Sequence, residues 1–223
     1  MLVDRTEYLL KPMLGLAIHT SSPALGLAIS NFEEPARHQT WAFGRDLSTH
    51  LHTTLATFIQ PHAWADLSFL AVARGPGSFT GTRIGVVTAR TLAQQLNIPL
   101  FGVSSLAAAA QAALDHNDGP RLEPLPHVAV EMQAQRGLRF TAMYGMTTAG
   151  LAERRPEQVI TPAAWETVLA QYPDPFIRIV VGAAAAETVL QVLTLTYTQW
   201  RAGERPHWSD VLPYYGQHPV DSY

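Results

Sequence analysis

The sequence predicts an α/β fold of two small domains, each a mixed sheet flanked by helices, and three features of the chain lead there. Three short apolar runs come first, two of them facing each other across a turn cluster. Strands and amphipathic helices then alternate, and a charged, proline-rich stretch separates this half from a second that repeats the same order more weakly. With 223 residues, 47% hydrophobic and 15% charged, the chain is long enough to bury a core and too apolar to remain disordered.

From Met13 to Ser30 the run MLGLAIHTSSPALGLAIS places two apolar segments on either side of Ser21-Ser22-Pro23, a turn-forming cluster, and so predicts a hairpin. Trp41-Ala42-Phe43, closed by Gly44, reads as a third strand. Leu47, Leu51, Leu55, Phe58 and Ile59 then recur at helical spacing until Pro61 forbids continuation. Residues 67–73 predict a buried strand, 75–81 a glycine-rich loop, and the following segment a helix to about Leu96. A strand over 98–103 leads to a helix over 105–114, with Ser104 placed as its N-cap.

The stretch 115–126, DHNDGPRLEPLP, carries three prolines and marks the boundary between a domain at 13–116 and a smaller one at 117–223. Beyond it, 127–130 and 139–144 read as strands, and Thr161 caps a helix over 162–170 that begins on Pro162. A strand at 177–181 and an alanine-rich helix from 183 complete the second half. The tail from Arg201 mixes Pro206, Pro213 and Pro219 with Trp208, Tyr214 and Tyr215, and is expected to lie as irregular structure over the body. Residues 1–12 carry Asp4, Arg5, Glu7 and Lys11 and lack the apolar centre of a secretory signal. No run approaches the ~20 apolar residues of a membrane span, so a cytoplasmic protein is expected.

Composition removes several kinds of chemistry. Net charge is −3, with Lys11 the single lysine beside 14 arginines, which disfavours stand-alone binding of a nucleic-acid backbone. The absence of cysteine excludes thiolate nucleophiles, disulfides and Cys-ligated zinc. Nine histidines include no i, i+4 pair, and His50 and His52 point to different helix faces. Gly102-Val103-Ser104-Ser105-Leu106 lacks the last glycine of a nucleophile elbow, and capping by Ser104 explains it more simply. Glu33 with Glu34, and Glu153 with Glu157, sit in polar stretches expected to be exposed.

The sharpest local feature is Gly75-Pro76-Gly77-Ser78-Phe79-Thr80-Gly81-Thr82-Arg83, between a strand and a helix, where free amides could cradle an anion. It is neither a Walker A loop nor a dinucleotide fingerprint, because no Gly-Lys-Ser/Thr closes it and Thr80 stands where a third glycine is needed. No Asp or Glu occurs between Asp66 and Asp115, so the acid that would hold ribose or Mg²⁺ is missing. A tight turn that brings the next helix close to the strand is the favoured reading, with ligand or partner contact without chemistry as an alternative. Along that helix Gly81, Gly85, Ala89 and Ala93 form a ridge of small residues suited to close packing, either internally or against another chain.

Residues 73–106, ARGPGSFTGTRIGVVTARTLAQQLNIPLFGVSSL, resemble the signature block of the bacterial TsaB (YeaZ) family. Val128 to Ala134 is similar to the family's second-domain strand and turn, with Glu131 where Asp is usual, and Pro213-Tyr214-Tyr215 to its late Pro-x-Tyr motif. The resemblance implies a sugar-kinase/Hsp70/actin-like (ribonuclease H-like) fold. It also implies an accessory, non-catalytic role in forming N6-threonylcarbamoyladenosine beside the tRNA anticodon. The expected partners are the transferase TsaD, the ATPase TsaE, tRNA through the complex, and a second copy of the chain when the transferase is absent. No intrinsic cofactor is implied, with ATP/ADP and Mg expected only in the assembled complex. Partner contact is expected on the first-domain helices, at Leu47, His50, Leu51, Leu55, Phe58, Gly81, Gly85, Ala89 and Ala93. Where the family's first strand usually ends in Asp, this chain has His19, which lowers the prospect of independent ATP hydrolysis. An ATP-dependent phosphotransferase or a peptidase of the same broad fold are the alternatives.

Overall fold

The computed structural model describes residues 13–116 and 127–216. The predicted hairpin is present as β1 (Gly15–His19) and β2 (Leu25–Ser30), both wholly buried, paired antiparallel with Ala17 opposite Ala28. β3 (Arg37–Trp41) joins β2 antiparallel, while β4 (Phe69–Ala73) and β5 (Leu100–Val103) extend the other side in parallel, giving the order β3-β2-β1-β4-β5. The third strand is therefore RHQTW, not the apolar segment 41–43. Lying at an edge with four residues exposed, it needs no apolar run; Phe43 instead stacks beyond the strand between Trp41 and His50.

The second sheet contains β6 (His127–Gln133), β7 (Arg139–Thr147), β8 (Gly150–Ile160) and β9 (Phe176–Val181) in the order β8-β7-β6-β9. Its two antiparallel pairings and one parallel pairing repeat β3-β2-β1-β4, which is the duplicated mixed-sheet fold expected from the sequence. β8 escaped sequence reading because GLAERRPEQVI holds four charged residues and Pro156. An edge strand tolerates both, and its register against β7 shifts around Met143.

The helices are α1 (Leu47–Phe58), α2 (Phe79–Leu96), α3 (Ser105–Asp115), α4 (Pro162–Ala170) and α5 (Val189–Arg201). Ser104 Oγ accepts from the Leu106 and Ala107 amides at 3.0 and 3.3 Å, and Thr161 Oγ1 from Ala164 at 3.2 Å, as the capping residues predicted. The alanine-rich segment begins as a 3-10 turn over Ala183–Thr188, and the α-helix proper starts six residues later than the sequence suggests. One face of the first sheet packs Leu16, Ile18 and Val72 against Leu51 and Leu55 of α1 and Val86 and Ala89 of α2. The other packs Ala17, Ala28 and Phe69 against Val189, Val192 and Leu193 of α5. Thus α5, which follows the predicted boundary in sequence, completes the core of the first sheet. Most of that boundary, 117–126, and the segment 1–12 lie outside the described residues.

Candidate functional site: the signature loop, its strap and the outer face of α2

The chain leaves β4 at Ala73, turns through Arg74–Ser78 and enters α2, whose first turn is capped by Ser78 Oγ accepting from the Gly81 amide at 3.2 Å. This loop is closed against the β1–β2 turn. The Ser78 amide donates to the Ser21 carbonyl at 2.7 Å, Ser21 Oγ donates to the Ala73 carbonyl at 3.3 Å, and Thr20 Oγ1 donates to the Gly81 carbonyl at 2.8 Å. A Cβ at Gly77 would collide with the Ser21 carbonyl oxygen, one at Gly81 with the Thr20 carbonyl oxygen, and one at Gly85 with Thr20 Oγ1. The ridge Gly81, Gly85, Ala89 and Ala93 therefore faces the protein's own sheet, with both alanines fully buried. These four residues, expected at a partner surface, are internal: Thr20 occupies the space that the two glycines leave, and the two alanines are buried in the core.

The same closure bears on nucleotide binding. The Ser78 and Gly81 amides that could meet a phosphate already have internal acceptors. His19, where a carboxylate would face Mg²⁺, is fully buried; its Nδ1 accepts from the Ser21 amide at 3.3 Å while Nε2 has no hydrogen-bond partner. Burial lowers its pKa from 6.5 to about 3, so the imidazole is neutral and brings no negative charge. The Ser78 and Gly81 amides are thus turned inward, and His19 offers a metal ion no negative charge. Among the described residues no group of three or more His, Cys, Asp or Glu is placed to hold a metal.

The neutral His19 gives a pH dependence with a definite sign. Unfolded, it takes a proton near pH 6.5; folded, it stays neutral until about pH 3, so acidification through this window favours the unfolded state. Stability present above that window is expected to fall by about 2 kcal/mol from this group alone by about pH 5. His19→Asn should flatten the dependence by that amount in urea titrations between about pH 7 and 5; parallel wild-type and variant curves would contradict it.

A strap closes the loop from outside. The Tyr214 amide donates to the Arg74 carbonyl at 2.7 Å, and the Arg74 guanidinium lies 5.3 Å from the centre of the Tyr214 ring. Arg74 also pairs at 3.5 Å with Glu157, whose side chain is 8% exposed, and Tyr144 donates to the same carboxylate at 3.1 Å. Burial, reinforced by Glu157, holds the Tyr144 phenol protonated well above its ordinary range. Glu157, expected to be exposed, thus joins the second sheet to the first through Arg74. Its neighbours Arg155, Arg154 and Glu153 hide this in sequence, because the partner that buries it is 83 residues away.

On α1, Leu47, Leu51, Leu55 and Phe58 are buried between helix and sheet, so these expected partner contacts are core residues; His50 alone of that set is exposed. Arg37 lies over Phe58 at 4.7 Å and donates to the Phe58 and Gln60 carbonyls, closing the helix end. The outward side of α2 carries Phe79 of the signature loop at 44% exposure, with Arg83 of the same loop lying 5.7 Å over its ring, and Val87 at 57%, which sequence reading missed. The tail borders this face, Tyr215 packing on Phe79 at 4.5 Å, Trp208 under Arg90 at 5.7 Å, and Leu212 60% exposed. Phe79, Arg83, Val87 and Arg90 lie at i, i+4, i+8 and i+11, one stripe opposite the buried ridge.

The fold coincides with that of YeaZ from Pseudomonas aeruginosa, with a TM-score of 0.71 at 23% identity over 91% of this chain and all of that one. A second structure, described as an uncharacterized protein with similarity to peptidase YEAZ from the same organism, gives 0.73 at 23% identity over 92% of this chain and all of the other. The family model of TsaD, tRNA N6-adenosine threonylcarbamoyltransferase, matches residues 53–190. The tRNA threonylcarbamoyladenosine biosynthesis protein TsaB of Bacillus subtilis is 33% identical over 162 residues, 72% of this chain and 67% of that protein. This chain belongs to the TsaB family. The protein of the same name from Escherichia coli is 30% identical over 178 residues, 75% of this chain and 71% of its own.

In this TsaB-family chain the signature block has a structural use: it closes α2 onto the β1–β2 turn and leaves the opposite stripe outward. Glu131, the family departure on β6, is 2% exposed and is held by Arg178 at 2.8 Å and Arg139 at 3.3 Å, so the longer acid remains fully charge-compensated. No helix among the described residues is long and apolar enough to cross a membrane.

Proposed function

We propose that this chain takes part in tRNA threonylcarbamoyladenosine biosynthesis as an accessory subunit that binds the TsaD transferase and contributes no catalytic group of its own. The observation that carries the reading is the closed loop: the Ser78 amide donates to the Ser21 carbonyl and the Gly81 amide to Ser78 Oγ, while Gly77 lies against Ser21 and Gly81 and Gly85 against Thr20. The block that matches the transferase family is thereby converted into a support for α2. Its outward stripe, Phe79, Arg83, Val87 and Arg90 with Leu212 of the tail and His50 of α1, is the docking surface. Each large apolar side chain buried there by the partner contributes roughly 1.5–3 kcal/mol. Left uncovered, the same stripe supports self-association of the isolated chain. ATP/ADP, Mg, the TsaE ATPase and tRNA belong to the assembled complex.

The alternatives fare worse on geometry. Ser104 spends its hydroxyl on capping α3, and Ser105 is fully buried, so the near-elbow offers a peptidase no accessible nucleophile. Phosphotransfer would need a carboxylate where neutral His19 is enclosed. Isothermal titration of Mg-ATP into the isolated chain is expected to give no tight binding and no turnover. Tight binding with hydrolysis would overturn the accessory reading.

A further inference from the structure

Sheets expose edges, and among the described residues three of the four sheet edges are guarded. β3 presents exposed Arg37 and His38, β5 is only four residues long, and β8 combines Glu153, Arg154, Arg155 and Pro156 with an irregular register. β9 has none of these devices. Phe176-Ile177-Arg178-Ile179-Val180-Val181 is regular, mostly β-branched and free of proline, and among the described residues it pairs only with β6. Its one charge is neutralised from within: Arg178 donates to Glu131 at 2.8 Å and to Glu166 of α4 at 2.6 and 3.1 Å. Val180 is 66% exposed, the highest value among the exposed large hydrophobic residues of the described chain. Beside it opens a cavity of about 470 Å³, lined by Ile179, Val180 and Val181 together with Ala112 and Leu190.

We infer that the free edge of β9 is a self-association surface, on which a second copy of the chain pairs antiparallel through its own β9 about a twofold axis at Ile179. The sequence of the strand selects this occupant and register. With Ile179 opposite itself, Ile177 faces the partner copy's Val181, and Arg178 faces its Val180, so no like charges meet and each exposed valine is covered by an arginine stem. A register centred on Arg178 would set two guanidinium groups opposite each other. The two four-stranded sheets join into one of eight strands, and the row of unpaired amides and carbonyls on β9 gains partners.

The surface lies on the second sheet, away from the α2 stripe, so the two are separable. In a Val87→Arg background, which removes self-association through the helices, sedimentation should still show a monomer–dimer equilibrium. Val180→Lys places an ammonium in the seam opposite the partner copy's Arg178 and is expected to weaken it at least tenfold, whereas Val180→Ile keeps that position apolar and β-branched and should preserve it. Val180 is exposed, so neither change threatens the fold. Ile179→Cys introduces the only cysteine. Opposite residues of an antiparallel pair are about 4.5–5.5 Å apart at Cα, within disulfide reach, so oxidation should link the dimer. A Val87→Arg protein that is monomeric at every accessible concentration, or an association indifferent to Val180→Lys and without the cross-link, would overturn the inference.

Discussion

Gly85→Leu is expected to destabilise the protein by about 3 kcal/mol, measured by urea denaturation, although Gly85 sits in the middle of a helix where leucine has the higher intrinsic propensity. The reason lies across the interface. A Cβ at this position meets Thr20 Oγ1, and that hydroxyl is already bound to the Gly81 carbonyl. The side chain cannot be accommodated without moving α2 off the β1–β2 turn, which adds loss of the Thr20 hydrogen bond to overpacking. Val87→Leu, two residues along on the exposed side, should change stability by less than about 0.5 kcal/mol. Equal tolerance at both positions would show that the small-residue ridge does not face inward.

Val87→Arg is the complementary experiment, expected to leave stability within about 0.5 kcal/mol of wild type while weakening binding to the TsaD transferase at least about a hundredfold. Val87 is the centre of the outward stripe, flanked by Arg83 and Arg90, and a third arginine there buries an unpaired charge in any interface that covers it. Calorimetry or surface-plasmon measurement with purified transferase reads the affinity, and denaturation of the free chain reads the fold. Wild-type affinity would move the docking surface off α2. Ala89, on the opposite side of the same helix, is unsuitable for such a test: it is fully buried, and a charge there would unfold the chain before it could report on a partner.

The contrast between Val87 and Ala89 marks the limit of what the sequence discloses. Where local chemistry decides structure, the sequence was readable: Ser21-Ser22-Pro23 made the hairpin turn, Ser104 and Thr161 capped their helices, and the leucines of α1 recurred at helical spacing. Where a neighbour decides it, the reading failed. A ridge of Gly81, Gly85, Ala89 and Ala93 states that something approaches closely but not what, and the answer is Thr20, some sixty residues earlier. The apolar positions of α1 were assigned to a partner, but a helix lying on its own sheet uses the same stripe. Glu157 looked solvated among Glu153, Arg154 and Arg155 because Arg74 is distant in sequence and Tyr144 reaches it only through the pairing of β7 with β8, a strand the sequence did not disclose. β8 was invisible because edge strands carry the charges and proline that patterning counts against a strand.

The central claim is that the chain supports a reaction it does not perform. The most direct test is threonylcarbamoyl transfer to tRNA by purified transferase and ATPase partners, run with the chain, without it, and with the chain alone. The account predicts modification only when the chain accompanies its partners, none from the chain by itself, and none when Val87→Arg replaces wild type at concentrations that saturate wild-type binding. Undiminished transfer without the chain, or turnover by the isolated chain, would contradict it.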